Sequence, residues 1–212
     1  RKMRPLLSSS RPVVNFFDRW IDEPDVVLGA LDLPTGGVSM RFASQFPTGL
    51  HGTPPNLDAA IKWADGAWLG IESKFTEWLT PKPRNKDSFK DKYFPDGIEL
   101  WGKRGHSRCQ DIAGLINTRH LAYRYLDAAQ LLKHALGLAC SGSKFELLYV
   151  YFDAPGKESG AHRAELEDFA SRIAGDFPFH VRTYQHVFER LQALAKLEDA
   201  EYLQYLHSRY LA

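Results

Sequence analysis

Residues 56–75, NLDAAIKWADGAWLGIESKF, decide the fold. Two largely apolar runs, LDAAIKWA and AWLGIESKF, flank Asp65-Gly66, a dipeptide favoured in the type I′ turn of a β-hairpin. The expectation is two antiparallel strands. Asp58 stands near the start of the first and Glu72 near the end of the second, so pairing brings both acids to one end of the sheet. Side chains alternate along a strand, so Glu72 and Lys74 leave the same face, roughly 6.6 Å apart along the backbone. Ile71, Ser73 and Phe75 point the other way.

Upstream, Ser10 is placed to cap a helix running to about Ile21, with Val13, Phe16, Phe17, Trp20 and Ile21 on one apolar stripe. Pro24 is expected to stop it. PTGG at 34–37 reads as a turn and VSMRFA at 38–43 as a strand. Downstream, residues 81–108 carry eight Lys or Arg against four acids and read as a basic surface insertion or lid, at about 80–108, with short helical pieces at most. From Gln110 to about Ala139 the pattern is helical, with a break near Asn117, and Ala122, Tyr125, Leu126, Ala129, Leu132 and Leu136 face the core. KFELLYVYFD at 144–153 reads as a central strand buried on both faces. A helix carrying Leu166, Phe169 and Ile173, a short strand FHVRTY, and two closing helices complete the pattern.

The order is helix, three strands, helices, strand, helix, strand, helices: an α/β chain of 212 residues, expected to form one domain over 1–212. The composition is that of an ordinary globular protein, 44% hydrophobic and 25% charged, and the formal charge of +1 permits a local basic patch without requiring one. Two cysteines, Cys109 and Cys140, make neither a metal-spaced pair nor a disulfide framework and fit a reducing, cytoplasmic setting. The basic start RKMRPLL runs into SSSRP and not into the apolar segment of a signal peptide. No stretch approaches the roughly 18 apolar residues of a membrane span. Zinc spacing, a phosphate-cradling glycine loop and a G-x-S-x-G elbow are all absent from the sequence.

Carboxylate oxygens suit hard divalent cations, and Asp58, Glu72 and the Ser73 carbonyl form a candidate set of three. A cation held there would acidify an attacking water and neutralise charge on a scissile phosphate. Lys74 would orient that water or stabilise the transition state. An acid-x-Lys pair on a strand is common and, taken alone, reads first as an exposed ion pair. What separates the two readings is Asp58 across the hairpin.

With these residues in place, the sequence resembles the PD-(D/E)XK, or restriction-endonuclease-like, nuclease superfamily. Asp58, within TPPNLDAAI, stands where the motif has its first aspartate, and Glu72-Ser73-Lys74, within WLGIESKF, where it has E-x-K. Leu57 replaces the motif's proline. The resemblance covers about residues 10–153 and implies a three-layer α/β/α core with a mixed central sheet, Mg²⁺ as cofactor with Mn²⁺ as a substitute, and hydrolysis of DNA or, less often, RNA. Asp58, Glu72 and Lys74 would be catalytic, with Asp58, Glu72 and Ser73 on the metal. Some members have lost catalysis, so an inactive nucleic-acid-binding protein of the same fold is the alternative. In several branches a Gln or Lys on the helix after the hairpin faces the active site, and Gln130 looks similar to that residue. Two-strand cleavage commonly needs two active sites, which suits a homodimer.

Further residues remain as expectations. Lys133 is a candidate phosphate contact on the same side of its helix as Gln130 and His134, against a reading as polar flank of an amphipathic helix. Lys103 and Arg104, between Gly102 and Gly105, are the best basic candidates of the insertion, with Tyr93, Phe94 and Trp101 available to stack on bases. An acid of the first helix sometimes joins the metal in this superfamily, which brings Asp18, Asp22 and Glu23 into view. Glu77 could reach the site only if the strand ends before it.

Overall fold

The computed structural model describes residues 10–83 and 89–212. The hairpin is the centre of a five-stranded sheet in the order β1-β2-β3-β4-β5. Its strands are β1 (Gly37–Gln45), β2 (Asn56–Trp63), β3 (Trp68–Lys74), β4 (Phe145–Tyr151) and β5 (Phe179–Thr183). β1 pairs with β2 and β2 with β3 antiparallel, whereas β3 pairs with β4 and β4 with β5 in parallel. The helices are α1 (Ser10–Phe17), α2 (Pro24–Ala30), α3 (Ser107–Asn117), α4 (Ala128–Cys140), α5 (Lys157–Ile173), α6 (Tyr184–Leu194) and α7 (Ala200–Tyr210).

Alternation along β4 divides the core between two faces. Leu147, Tyr149 and Tyr151 pack with α3, α4 and α5, while Leu148 and Val150 pack with α1, α2 and α6. This is the three-layer α/β/α arrangement with a mixed sheet that the sequence led us to expect. Among the described residues no helix is long and apolar enough to cross a membrane. Cys109 and Cys140 are both free thiols, the first buried.

Several local expectations are corrected. The hairpin turn is not type I′: Gly66 alone takes a positive φ, +90°, its N–H bonds the Trp63 carbonyl, and Trp63 N–H bonds Ala67 O. That is a three-residue loop with glycine in the left-handed position, tightened by Ala67 N–H donating to Asp65 Oδ1 at 2.9 Å. Pro24 does not end a helix but opens α2, because the first helical position needs no N–H donor. The helix before it stops at Phe17 and continues as a 3-10 turn to Trp20. The side chain of Ser10, and with it the expected cap, lies outside the described residues.

Residues 118–127 are not helical. Asp127 begins α4 by accepting the Gln130 N–H at 3.1 Å, and Tyr125 lies in the preceding linker, half-buried, with its N–H on Glu165. The basic insertion is more than a surface lid. Phe89, Tyr93, Leu100 and Trp101 are buried in the α3–α4 core, and Trp101 Nε1 donates to the Leu132 carbonyl at 2.8 Å. Aromatic area of this size is worth more inside a core than in water. Residues 84–88 of the insertion lie outside the described residues.

Candidate metal and active site

The antiparallel ladder between β2 and β3 ends at Ala59 and Ile71, one position short of Asp58 and Glu72. β3 continues beyond that point in register with β4, pairing Glu72 with Tyr149, Ser73 with Val150 and Lys74 with Tyr151. At the fork the backbone N–H of Ser73 has lost its neighbouring strand. The Asp58 carboxylate takes it instead, with Oδ2 at 2.9 Å, because a buried backbone donor needs an acceptor. One side chain thus closes the sheet and comes to stand beside β3.

Glu72 and Lys74 share the face covered by α4. Lys74 Nζ donates to Glu72 Oε1 at 2.5 Å and to Gln130 Oε1 at 3.1 Å. His134, one helical turn beyond Gln130, places Nε2 2.9 Å from Glu72 Oε2. Neither of those two atoms has a well-aligned hydrogen-bond partner, so the contact is a close approach and not a well-formed bond. α4 reaches this depth because Gly137 lies directly on the backbone of Phe46: a Cβ there would stand 2.6 Å from the Phe46 carbonyl oxygen. The start of the helix is fixed by Lys82, whose Nζ pairs with Asp127 Oδ2 at 2.9 Å.

The opposite side of β3 is also fastened. Ser73 Oγ meets the Tyr184 hydroxyl of α6 at 2.6 Å, in full burial. Ser73 therefore offers its N–H to Asp58 and its side chain to α6.

Both carboxylates are nearly solvent-free, Asp58 at 6% and Glu72 at 1% exposure. Burial, with the Glu72 charge beside it, pushes Asp58 up to about 7. Burial also resists ionisation of Glu72, but Lys74 and His134 outweigh it and hold Glu72 below the usual carboxylate range. Burial opposes the charge on Lys74 likewise, and Glu72 overcomes it, raising Lys74.

A divalent cation would relieve the repulsion between the two acids and give Glu72 Oε2 the well-aligned partner that His134 does not supply. Two carboxylates and the Ser73 carbonyl fit that role with hard oxygen donors. Among the described residues no group of three or more Asp, Glu, His or Cys side chains forms a ready-made cage. A cation held there would take its remaining ligands from main chain and water.

The other sequence-predicted residues divide clearly. Gln130 is brought to the site. Lys133 lines the adjoining cleft, its ammonium 5.0 Å from the centre of the Phe89 ring. Lys103 and Arg104 are exposed and are not brought to the site. Arg104 bonds the Leu100 carbonyl and lies against Cys140, ten residues and thus about 15 Å along α4 from Gln130. Trp101 and Tyr93 are too buried to stack on bases. Glu23 pairs with Lys196 on the surface.

Glu77 follows the end of β3, and its Oε2 accepts the N–H groups of Phe75 and Thr76. The strand ends before it, and its charge adds to the forces raising Asp58. The sequence marks His134 only as a neighbour of Gln130. Its i, i+4 spacing from Gln130 was the available signal.

A model of the family described as restriction endonuclease associating with ARP matches residues 1–211. No curated protein and no solved structure gives a significant match. The superfamily read from Asp58 and Glu72-Ser73-Lys74 agrees with that family and with the observed sheet. The chain belongs to the family of restriction endonucleases associating with ARP.

Proposed function

We propose that the protein is a Mg²⁺-dependent nuclease that hydrolyses phosphodiester bonds, acting on DNA as an endonuclease. The observation that carries this reading is the fork between β2 and β3, where Asp58, held by Ser73 N–H, stands beside the Glu72–Lys74 pair. Asp58, Glu72 and the Ser73 carbonyl would hold the cation. Bound there, it would supply an acidified water and charge neutralisation at the phosphate.

The chain's own groups do the rest. Lys74, charged and anchored by Gln130, stabilises the negative charge that builds on the phosphoryl oxygens. Glu72 holds Lys74 in place, and His134 packs against the far oxygen of Glu72. Burial of all three excludes bulk water, which strengthens each of these electrostatic contacts.

One observation favours a second reading, a weakly active or inactive nucleic-acid-binding protein. Glu72 already has Lys74 on one oxygen and His134 against the other, and a cation must compete with both. Cleavage of supercoiled plasmid and single-stranded DNA with Mg²⁺, Mn²⁺ or EDTA, beside folded Glu72→Ala and Lys74→Ala proteins, decides between them. Metal-dependent cutting lost in both variants supports the nuclease. No cutting by the wild type under any of these conditions supports the second reading.

A further inference from the structure

A cavity of about 800 Å³ opens beside the candidate site and shares Gln130 with it. Its cationic lining includes Lys90, Arg119, Arg124 and Lys133 beside the Lys82–Asp127 pair and Asp91, and the aromatic ring it offers is that of the half-buried Tyr123, Phe89 being packed in the core beneath Lys133. Of the carboxylates in its wall, Asp127 is already paired with Lys82 and caps α4. Burial lowers the pKa of Lys133, and the positive charges of Lys82, Lys90 and Lys92 push the same way, against Asp127. The cavity is thus a concentration of positive charge with one tyrosine ring in its wall.

Size and chemistry together narrow the occupant. Small-molecule pockets span roughly 300–1,000 Å³, so one nucleotide fits this one. A double helix, whose major groove alone is about 12 Å wide, does not. Cationic groups suit a phosphate and ring faces suit a base, a combination typical of sites for unpaired strands. The catalytic groups add a requirement of their own. Glu72 and Lys74 have side-chain exposures of 2% and 13%, so the scissile phosphate has to be brought down to them. A strand free to unstack bends to reach such a floor, whereas a paired one pays to do so.

We infer that this cavity receives one unpaired nucleotide of the substrate strand and so directs the adjoining phosphodiester to Lys74 and Glu72. The inference rests on the nuclease reading and deepens it: the substrate is single-stranded, or locally unpaired, nucleic acid.

Fluorescence anisotropy with the Glu72→Gln protein and a short labelled oligonucleotide, as single strand and as duplex, in deoxy and ribo forms, tests this. The single strand is expected to bind about tenfold tighter than the duplex or better. Ala122→Trp, which fills the cavity from an exposed position on its wall, should weaken single-strand binding about tenfold and leave duplex binding unchanged. The double variant Lys90→Glu/Arg124→Glu, at two exposed positions, should do the same and serves if Ala122→Trp misfolds. Equal affinity for the two forms, or single-strand binding indifferent to these variants, overturns the assignment of the cavity while leaving the nuclease reading intact. A wild-type protein that cuts nothing with any metal, yet binds single strands through the cavity, overturns the nuclease reading and keeps the cavity.

Discussion

His134 and Glu72 stand side by side on facing elements, Nε2 2.9 Å from Oε2, with side-chain exposures of 1% and 2%. A carboxylate so deeply buried depends on every polar group packed against it. Replacing His134 by Ala leaves Glu72 supported by Lys74 alone. The variant is expected to lose about 2 kcal/mol of stability by urea denaturation. His134→Gln, which keeps a polar group against Glu72 Oε2, should recover part of that. An unchanged midpoint in His134→Ala would show that the ring contributes only volume.

Asp58 links stability to pH. Its pKa rises from the ordinary 3.8 to about 7 on folding, so between those values the folded protein holds a proton that the unfolded chain has released. Stability should therefore be greatest below about pH 4 with respect to this group, fall as pH rises toward 7, and remain low above it, by up to about 4 kcal/mol. Asp58→Asn keeps an acceptor for Ser73 N–H and removes the charge. It should flatten this dependence and raise Tm at pH 8 in EDTA. Mg²⁺ should raise the wild-type Tm at pH 8 and leave that of Asp58→Asn nearly unmoved, as thermal denaturation with and without EDTA will report.

Tyr184 fastens β3 from the side away from Glu72 and Lys74. Tyr184→Phe removes the hydroxyl contact to Ser73 and is expected to cost about 1 kcal/mol of stability. Because Ser73 also presents its N–H to Asp58 and, in the proposed nuclease, would offer its carbonyl to the cation, the same variant should need more Mg²⁺ for half-maximal cleavage. Titration of cleavage rate against Mg²⁺ separates that effect from simple destabilisation, which would lower active protein at all concentrations alike.

The approach of α4 to the sheet can be tested with two glycines. A Cβ on Gly137 meets the Phe46 carbonyl oxygen at 2.6 Å, and backbone cannot yield cheaply, so Gly137→Ala should destabilise by about 1–3 kcal/mol and lower cleavage as Gln130 and His134 retreat. Gly114, in α3, has nothing within 4 Å of the added carbon. Gly114→Ala should instead stabilise by up to about 1 kcal/mol through helix propensity. Paired thermal melts and cleavage rates check both.

Much of the fold was legible because it is written in local pattern. The hairpin strands, the two-sided burial of Leu147, Leu148, Tyr149 and Val150, and the closing helices all follow from periodicities of two or 3.6 residues. The misreadings fall where a local signal has two meanings. Proline both ends and begins helices, and Pro24 begins one. Asp-Gly serves more than one turn, and the loop here uses three residues. The charges of the 81–108 stretch suggested a solvated lid, while its rings were long enough to reach the core beneath it.

For the candidate site, the sequence by itself determined which side chains share a face of β3 and which end of the hairpin Asp58 stands at, through strand alternation and a short turn, while the three-residue loop set the register that puts Asp58 opposite Glu72. Only the tertiary structure decided what completes the site. His134 reaches Glu72 because Gly137 lets α4 press onto Phe46, and Tyr184 reaches Ser73 because α6 covers the opposite face. Lys103 and Arg104 fall away because the insertion carries them to the far end of α4. Each of these depends on how closely one packed layer approaches another, a distance that no periodicity along the chain encodes.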